Sequence, residues 1–472
     1  MPPTDPCFLG VKKLSELLDA GGLSPVELTQ ACLDRIEAHD SQVNSFINVF
    51  RDEALAEARA AEAEIVKGRR RGPLHGLPFG LKDLFMVRDR PLTLGTKLFH
   101  DNVSPRDSAI AAGLRRAGAI LLGKQNLNPL AYGPFAPEPG YDHGPTRNPW
   151  DLTRLSGGSS GGSGAATAAG FCPFSVGSDT GGSVRIPASW CGVVGLKPTQ
   201  GRLSRKGVQA LSWSLDHPGV LARRVEDCAL VMRALSGRDP RDPAGAAPAA
   251  PDIPALLNQN VRGVKIGLPI DYWRLPLDPE VGFWVEKGVA TLRDLGAETV
   301  ELPWPMLAYA ENISNIILLC EASSVHEKLV KQRGHELWPA LRLRLEAGLL
   351  IPAADYLRAQ KARTLLLDDA NRLFEQVDLI VGPTMPVTAC PPGQAMVKAG
   401  DREIGVVRAM TQYNEVFNLT GHPALTLPCG FSRAGLPIGL QLAGRPFAEA
   451  LLLNVAAALE EALGLTELIP KL

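Results

Sequence analysis

Two glycine–serine clusters lie close together in this chain, 157-GGSSGGSGAATAAG-170 and 177-GSDTGGSVRIPAS-189. A glycine–serine run is typical of a flexible linker, and such a linker is flanked by polar, low-complexity sequence. Here the first cluster enters a helix of small residues, and the apolar segment 171-FCPFSVG-177 leads into the second. Glycine is needed where backbones approach closely or adopt positive φ. The surroundings therefore predict two tight core elements rather than a linker.

The clusters lack the spacing of a phosphate-binding loop, because neither is followed by Gly-Lys-Ser or Gly-Lys-Thr. Their serines suggest nucleophilic catalysis, and a serine needs a base that takes its proton. The chain has eight histidines, but none lies in the glycine–serine region. His75 and His143 are flanked by turn residues, so we expect structural or exposed roles for them. The G-x-S-x-G turn of the α/β-hydrolases is also missing from the required strand–turn–helix context.

Lysine is the alternative base, provided that burial lowers its pKa enough to leave the amine neutral. Ser–Lys pairs are a known variant of the serine triad. Lys82 lies in the mostly apolar run 78-PFGLKDLF-85, which is the setting that such a role requires.

These segments together resemble the amidase signature family. The resemblance is carried, in order, by Gly-Leu-Lys-Asp at Lys82, by GGSSGGSGAA, by DTGGSVRIPA and by 192-GVVGLKPT-199, and the spacing of Ser159 and Ser183 is the one that the family uses. Further matches are 119-AILLGKQN-126, 147-RNPW-150 and 435-GLPIGLQLAG-444. The likeness extends over most of the chain and is densest from about 74 to 208.

The resemblance implies a catalytic triad of Lys82, Ser159 and Ser183. Ser183 would be the nucleophile and Lys82 the terminal base, with Ser159 as the bridging serine on a cis peptide bond after Gly158. A serine hydroxyl both donates and accepts, so Ser159 can pass a proton from Ser183 to a neutral lysine. Reversing the same relay would protonate the leaving amine.

The loop around the second cluster would stabilise the tetrahedral intermediate. Its backbone N–H groups form the predicted oxyanion hole, at Thr180, Gly181, Gly182 and Ser183. Three further residues match family positions that hold this loop through hydrogen bonds: Ser160, Asp179 and Arg185. No metal site and no cofactor are expected.

Helix and strand patterns alternate along the chain and predict an α/β protein. The helical pattern 108–119 leads into the strand 119–124, and 264–269, 279–296 and 298–303 repeat strand, helix and strand. The family fold implied by the resemblance is a large mixed, mostly parallel central sheet covered by helices on both faces. We expect one domain over residues 1–472, with a signature core at about 74–208. The segment 237–254 has five prolines and is interpreted as an exposed connection, either a domain boundary or a long loop within one fold.

The composition limits the partners and the compartment. The 472 residues carry a net charge of −1 and have a pI near 6.7, so no basic field indicates nucleic acid or a lipid surface. Eight scattered cysteines without a C-x-x-C pair fit a reducing cytoplasm. No apolar run is long enough to span a membrane. We therefore expect a cytoplasmic monomer or homodimer acting on a small-molecule amide, without nucleic acid or membrane.

The predicted function is cleavage of carboxamide C–N bonds through a seryl acyl-enzyme. Family members that are A subunits of glutamyl-tRNA amidotransferase commonly carry glutamine directly after the arginine of the second cluster, where this chain has Ile186. We therefore favour a neutral, moderately bulky acyl or aryl amide, with carbamate or esterase side activity. The alternative is an amidotransferase A subunit that needs partner subunits, and a third hypothesis is an inactive binding protein. Candidate substrate-pocket residues are Tyr132, Phe135, Trp213, Ile316 and Cys320.

Overall fold

Helices and strands alternate along the part of the chain that the computed structural model describes, which comprises residues 5–132, 142–245, 248 and 252–472. The strands are β1 (Phe46–Val49), β2 (Pro78–Lys82), β3 (Ile120–Gln125), β4 (Arg147–Asn148), β5 (Asp151–Leu155), β6 (Phe174–Asp179), β7 (Val194–Lys197), β8 (His217–Ala222), β9 (Lys265–Pro269), β10 (Glu298–Leu302), β11 (Leu379–Pro383), β12 (Met396–Ala399), β13 (Arg402–Gly405), β14 (Ala424–Phe431) and β15 (Pro437–Gly444).

The α-helices lie between these strands and at both ends of the described chain. They are α1 (Val11–Asp19), α2 (Pro25–Val43), α3 (Arg51–Val66), α4 (Ala109–Arg116), α5 (Gly161–Ala168), α6 (Arg185–Cys191), α7 (Val225–Leu235), α8 (Ile270–Trp273), α9 (Pro279–Asp294), α10 (Ala310–Arg333), α11 (Pro339–Leu349), α12 (Ala353–Gln376), α13 (Val406–Thr411), α14 (Glu415–Leu419) and α15 (Glu449–Leu463).

Within the described residues, eleven strands form one mixed sheet in the order β1-β3-β2-β6-β8-β7-β14-β15-β11-β9-β10. The neighbours β3, β2 and β6 pair in parallel, as do β11, β9 and β10. The pairs between β6 and β11 are antiparallel, and so is β1 with β3. The predicted α/β fold with a large mixed sheet is confirmed. Parallel pairs occupy its two flanks, whereas the centre is antiparallel because short turns such as the one joining β14 to β15 need no crossover helix.

Helices cover both faces of this sheet, as consecutive residues of β15 demonstrate. A Cβ placed at Gly439 would lie 2.8 Å from the Cβ of Ser189 in α6. A Cβ placed at Gly288 in α9 would lie 2.7 Å from Cδ1 of Leu440. Since neighbouring residues of a strand point to opposite faces, α6 and α9 pack on opposite sides of β15. The glycines allow each helix to approach the sheet closely.

The parallel pairing of β2 with β6 positions the site. Phe79 lies opposite Phe174 in this pair, and the two rings stack with their centroids 5.6 Å apart. Because the strands run in the same direction, Lys82 and Asp179 end their strands at the same edge of the sheet. The two glycine–serine clusters lie at this edge, since the first leads into α5 and the second connects β6 to α6.

The proline-rich connection 237–254 is tied to the rest of the chain at two described carboxylates. Asp239 accepts a hydrogen bond from Ser204 Oγ at 2.8 Å, and Asp242 accepts one from the Arg205 N–H at 2.6 Å. A search of the described helices found none with the length and apolar character needed to span a membrane.

Candidate active site

Lys82 is the last residue of β2, and its side chain is completely buried. Its Nζ lies 2.7 Å from Ser159 Oγ and 2.9 Å from Ser178 Oγ. Burial penalises the charged amine and lowers the pKa of Lys82 to about 7, although the charges of Asp179 and Asp216 act in the opposite direction. A large fraction of the amine is therefore neutral near neutral pH. In that state it can accept a proton.

Ser159 connects this lysine to the second cluster. The peptide bond between Gly158 and Ser159 is cis, and the Ser159 side chain is buried. The next residue joins the clusters: the Ser160 N–H donates to the Ser183 carbonyl at 3.1 Å, and Ser160 Oγ donates to the Ser178 carbonyl at 3.0 Å. The backbones that carry Ser159 and Ser183 are thus held against each other.

Ser183 lies in the turn between β6 and α6 and is half-buried, in contrast to Lys82 and Ser159. The three side chains predicted as a triad therefore run from the dry interior to a position that a substrate can reach. This order suits a relay, because the base is protected from water while the attacking hydroxyl is accessible.

Asp179 organises the loop that precedes Ser183. One of its carboxylate oxygens accepts from the Gly182 N–H at 2.9 Å, and the other accepts from the Val184 N–H at 3.1 Å. The Gly182 amide is therefore not available to an oxyanion, although the sequence included it among the predicted donors. Within the described residues, the amides of Gly181 and Ser183 have no protein acceptor, so the candidate oxyanion hole narrows to them and to neighbouring Thr180.

Arg185 anchors Asp179 from the first turn of α6. The guanidinium lies 2.9 Å from Asp179 Oδ1 and also donates to Gln441 Oε1 and to Asn418 Oδ1, both at 2.7 Å. All these side chains are buried. The arginine keeps the pKa of Asp179 well below its usual range, against the opposing effect of burial. This carboxylate is a fixed negative charge behind the loop, as the predicted role of Ser160, Asp179 and Arg185 requires.

The predicted pocket residues are not brought together. Tyr132 is buried beneath the Arg344 guanidinium, which lies 3.8 Å from its ring centroid, while Trp213 is 58% exposed. Ile316 lines an apolar cavity of about 830 Å³ between α10, α11 and α12, whose described lining includes none of Tyr132, Trp213 and half-buried Cys320. Phe135 lies outside the described residues. The sequence pattern could not distinguish surface and core aromatics from pocket walls.

The histidine nearest to the loop is His217, which lies opposite Asp179 in the pairing of β6 with β8. Its Nδ1 is 2.7 Å from the Leu215 carbonyl, and burial lowers its pKa well below the usual value. It is therefore neutral, donates to a carbonyl and makes no bond to a serine of the described chain. His75 is buried as well, where its Nδ1 accepts from the Arg71 N–H at 3.1 Å.

Three residues at the site were missed by the sequence reasoning: Ser178, Asn418 and Gln441. Ser178 was part of a quoted cluster, but only the parallel register of β2 and β6 brings it to the lysine. Asn418 and Gln441 lie more than two hundred residues from Asp179 in the sequence. Gln441 lies within 435-GLPIGLQLAG-444, so a polar residue in an apolar strand was the one available signal.

Comparisons with known proteins agree with this geometry. The family model described as Amidase matches residues 27–453. The A subunit of the glutamyl-tRNA(Gln) amidotransferase of Moorella thermoacetica is 40% identical over 477 residues, covering 96% of each chain. A structure described as an unexpected vestigial protein complex, which reveals the origins of an s-triazine catabolic enzyme, has a TM-score of 0.91 at 35% identity and covers 98% of this chain and 100% of that one. A bacterial aryl acylamidase of the amidase signature enzymes has a TM-score of 0.88 at 28% identity, covering 96% of each chain.

These relatives correct the predicted partners. The sequence led us to expect a small-molecule amide substrate, no nucleic acid, and a monomer or homodimer. That prediction is wrong, because curated relatives at 37–40% identity are named as subunits of an enzyme of glutamyl-tRNA. The physical reason is that a net charge near zero describes the field of this chain alone. It carries no information about nucleic acid that a partner protein holds.

Proposed function

This chain belongs to the amidase signature family, and we propose that it is the amide-cleaving A subunit of a glutamyl-tRNA(Gln) amidotransferase. The observation that carries this assignment is the 40% identity to one of these subunits over 96% of both chains. The chemistry is supported by the contact of 2.7 Å between the buried Lys82 amine and Ser159. In this proposal the chain releases ammonia from a carboxamide donor, and the assembled enzyme delivers it to the tRNA-bound glutamyl group. We place the enzyme in the cytoplasm, where its eight free cysteines stay reduced.

The first half of the reaction forms an acyl-enzyme. Ser183 Oγ attacks the carbonyl carbon of the carboxamide while its proton moves to Ser159 Oγ, whose own proton moves to Nζ of Lys82. The carbonyl oxygen becomes an oxyanion facing the amides of Gly181 and Ser183. The C–N bond then breaks, the proton returns through Ser159 to the nitrogen, and ammonia leaves.

The second half restores the enzyme. A water molecule attacks the acyl carbon, its proton follows the same route to Lys82, and the bond to Ser183 Oγ breaks as that oxygen regains a proton. The products are a carboxylic acid and free Ser183. Both steps need Lys82 to be neutral at the start and to hold a proton in between. A lysine with a pKa near 7 suits this exchange at neutral pH.

The proposed role in a complex is tested by activity with and without partners. The chain is purified alone and together with the remaining amidotransferase subunits encoded beside it or taken from a relative. Ammonia release from L-glutamine and L-asparagine is measured, together with amidation of glutamyl-tRNA(Gln). We expect amidation by the complex only, and a loss of roughly 10⁴- to 10⁶-fold in ammonia release for Ser183→Ala. A complex that hydrolyses amides without amidating the tRNA contradicts the assignment to an amidotransferase but not the seryl chemistry.

A second candidate, hydrolysis of an apolar or aryl carboxamide with discharge of the acyl group to water, is favoured by Ile186. Its Cδ1 would lie 3.0 Å from a Cβ at Gly182, and its Cγ2 would lie 3.1 Å from a Cβ at Gly157. An apolar side chain thus borders both clusters where family A subunits commonly carry glutamine. Aryl anilides, aliphatic amides and carbamates form the test panel. Turnover of one of these far above that of glutamine supports this candidate over the first.

A further inference from the structure

A second buried carboxylate supports the loop of the candidate oxyanion hole from the side opposite Arg185. Asp216 precedes β8 and is almost fully buried. Its Oδ1 accepts from Thr180 Oγ1 at 2.6 Å, and its Oδ2 accepts from the Leu211 N–H at 2.8 Å. The Ser212 N–H lies 3.1 Å from both oxygens. Asp216 therefore ties the first residue of the loop to the turn before β8.

The charge of this carboxylate is compensated less than that of Asp179. Asp179 forms a buried ion pair with Arg185, whereas Asp216 has no ion pair within the described chain. Arg205 is the nearby cation, and its charge only lowers the pKa of Asp216, which burial raises to about 6. Asp216 is thus mostly ionised at neutral pH. In a dry interior an unpaired charge acts over a longer distance than in water.

We propose that Asp216 is a positioning residue for amide cleavage, which holds the oxyanion loop through Thr180 and whose charge sets the pH range in which Lys82 can act as the base. The inference rests on the proposed Ser–Ser–Lys chemistry. It concerns a residue that neither touches the substrate nor takes part in the proton relay. Its two effects, on the loop and on the lysine, have different experimental signatures.

The charged and titratable groups around these residues determine the sign of the effect. Lys82 faces the hydroxyls of Ser159 and Ser178, and the carboxylates of Asp179 and Asp216 both raise its pKa. Around Asp179 and Asp216 the cations are Arg185, Lys197 and Arg205. Removing the charge of Asp216 makes protonation of Lys82 harder and lowers the pKa of the lysine. The base then stays neutral to lower pH.

Glu321 provides a matched control on the same turn. This carboxylate of α10 is buried, and its Oε2 accepts from Ser212 Oγ at 2.5 Å and from the Ser214 N–H at 3.1 Å. It anchors the turn that Asp216 belongs to, but its charge is not among those that shift the pKa of Lys82. Glu321→Gln therefore perturbs the same turn without changing the electrostatics of the lysine.

The experiment measures how fast a fluorophosphonate labels Ser183 as a function of pH, which requires no knowledge of the substrate. In this reaction Ser183 Oγ bonds to phosphorus, fluoride leaves, and the serine proton passes to Lys82. Labelling is followed by mass spectrometry in the wild type, Asp216→Asn and Glu321→Gln. We expect Asp216→Asn to move the acid limb of the profile down by about 0.5–1 pH unit. We also expect its plateau rate to fall at least tenfold, while the limb of Glu321→Gln stays in place.

The outcomes are separable. An unmoved acid limb in folded Asp216→Asn overturns the inference, because a purely structural role lowers the rate without shifting the limb. If the asparagine variant does not fold, Asp216→Ser is the second neutral variant, since its hydroxyl can still accept from the amides of the turn. Absence of Ser183 labelling in the wild type overturns the proposed seryl chemistry itself and the inference with it.

Discussion

Burial makes Lys82 useful as a base and makes the folded state less stable. The unfolded chain exposes this amine with its ordinary pKa of 10.5, and the folded chain lowers the pKa to about 7. Between these values the unfolded state holds a proton that the folded state lacks. Stability from this group therefore rises with pH across the window from about 7 to 10.5 and is lowest below it. Activity needs the neutral amine, so it falls as the pH drops below about 7.

Lys82→Met separates these two consequences. We expect amide cleavage to be lost and the free energy of unfolding at pH 7 to increase, because a charged side chain no longer has to be desolvated. The advantage of the variant over the wild type should shrink by up to about 1.4 kcal/mol per pH unit between pH 7 and 10. Urea denaturation of both proteins at several pH values measures this difference. A difference that does not change with pH would contradict the assignment of the lysine.

At the scale of elements, the turn between β6 and α6 depends on one glycine. Gly182 has a φ of +118°, and a Cβ there would lie 2.6 Å from the Cβ of buried Asn414. An L-residue is disfavoured in this conformation, and Asn414 is held by two hydrogen bonds from its side-chain amide. The turn carries Gly181 and Ser183, whose amides are the candidate oxyanion donors. Its shape is therefore part of the chemistry.

Gly182→Ala is expected to lower kcat about 10²- to 10³-fold, the range observed when an oxyanion donor is lost. A strained backbone of this kind also costs about 1–3 kcal/mol of stability. Gly405→Ala is the control, because its φ is −60° and a Cβ there meets no atom within 4 Å. Steady-state kinetics and thermal melts of both variants check this. Equal activities in the two variants would refute the importance of the turn.

The sequence predicted those elements that short-range signals encode. The capping box at Ser24 is present, with Ser24 Oγ accepting from the Glu27 N–H at 3.1 Å and Glu27 accepting from the Ser24 N–H at 2.8 Å. The strand expected over 264–269 is observed as β9 (Lys265–Pro269). The partners of Lys82 beyond the motifs were not predictable. Ser178 and Asp216 reach it through sheet register and a folded turn, which no local pattern specifies.

At the scale of the whole molecule, the sheet joins distant parts of the chain. Strand β7 of the predicted signature core pairs with β8 on one side and with β14 on the other, and β11 connects β15 to β9. The residues before and after the proline-rich connection 237–254 therefore contribute to one continuous sheet. We propose on this basis that the connection is a loop within one domain rather than a domain boundary.

One domain predicts one cooperative unfolding transition. Separate domains at either side of 237–254 would each need their own core, whereas here removal of β14 and β15 would expose β7 and β11 together. Calorimetry of the isolated chain should accordingly give a single peak with equal calorimetric and van't Hoff enthalpies. Proteolytic cleavage within 237–254 should leave two fragments that stay associated through the sheet and separate only in denaturant. Two resolved transitions, or fragments that part under native conditions, would place a domain boundary at the connection.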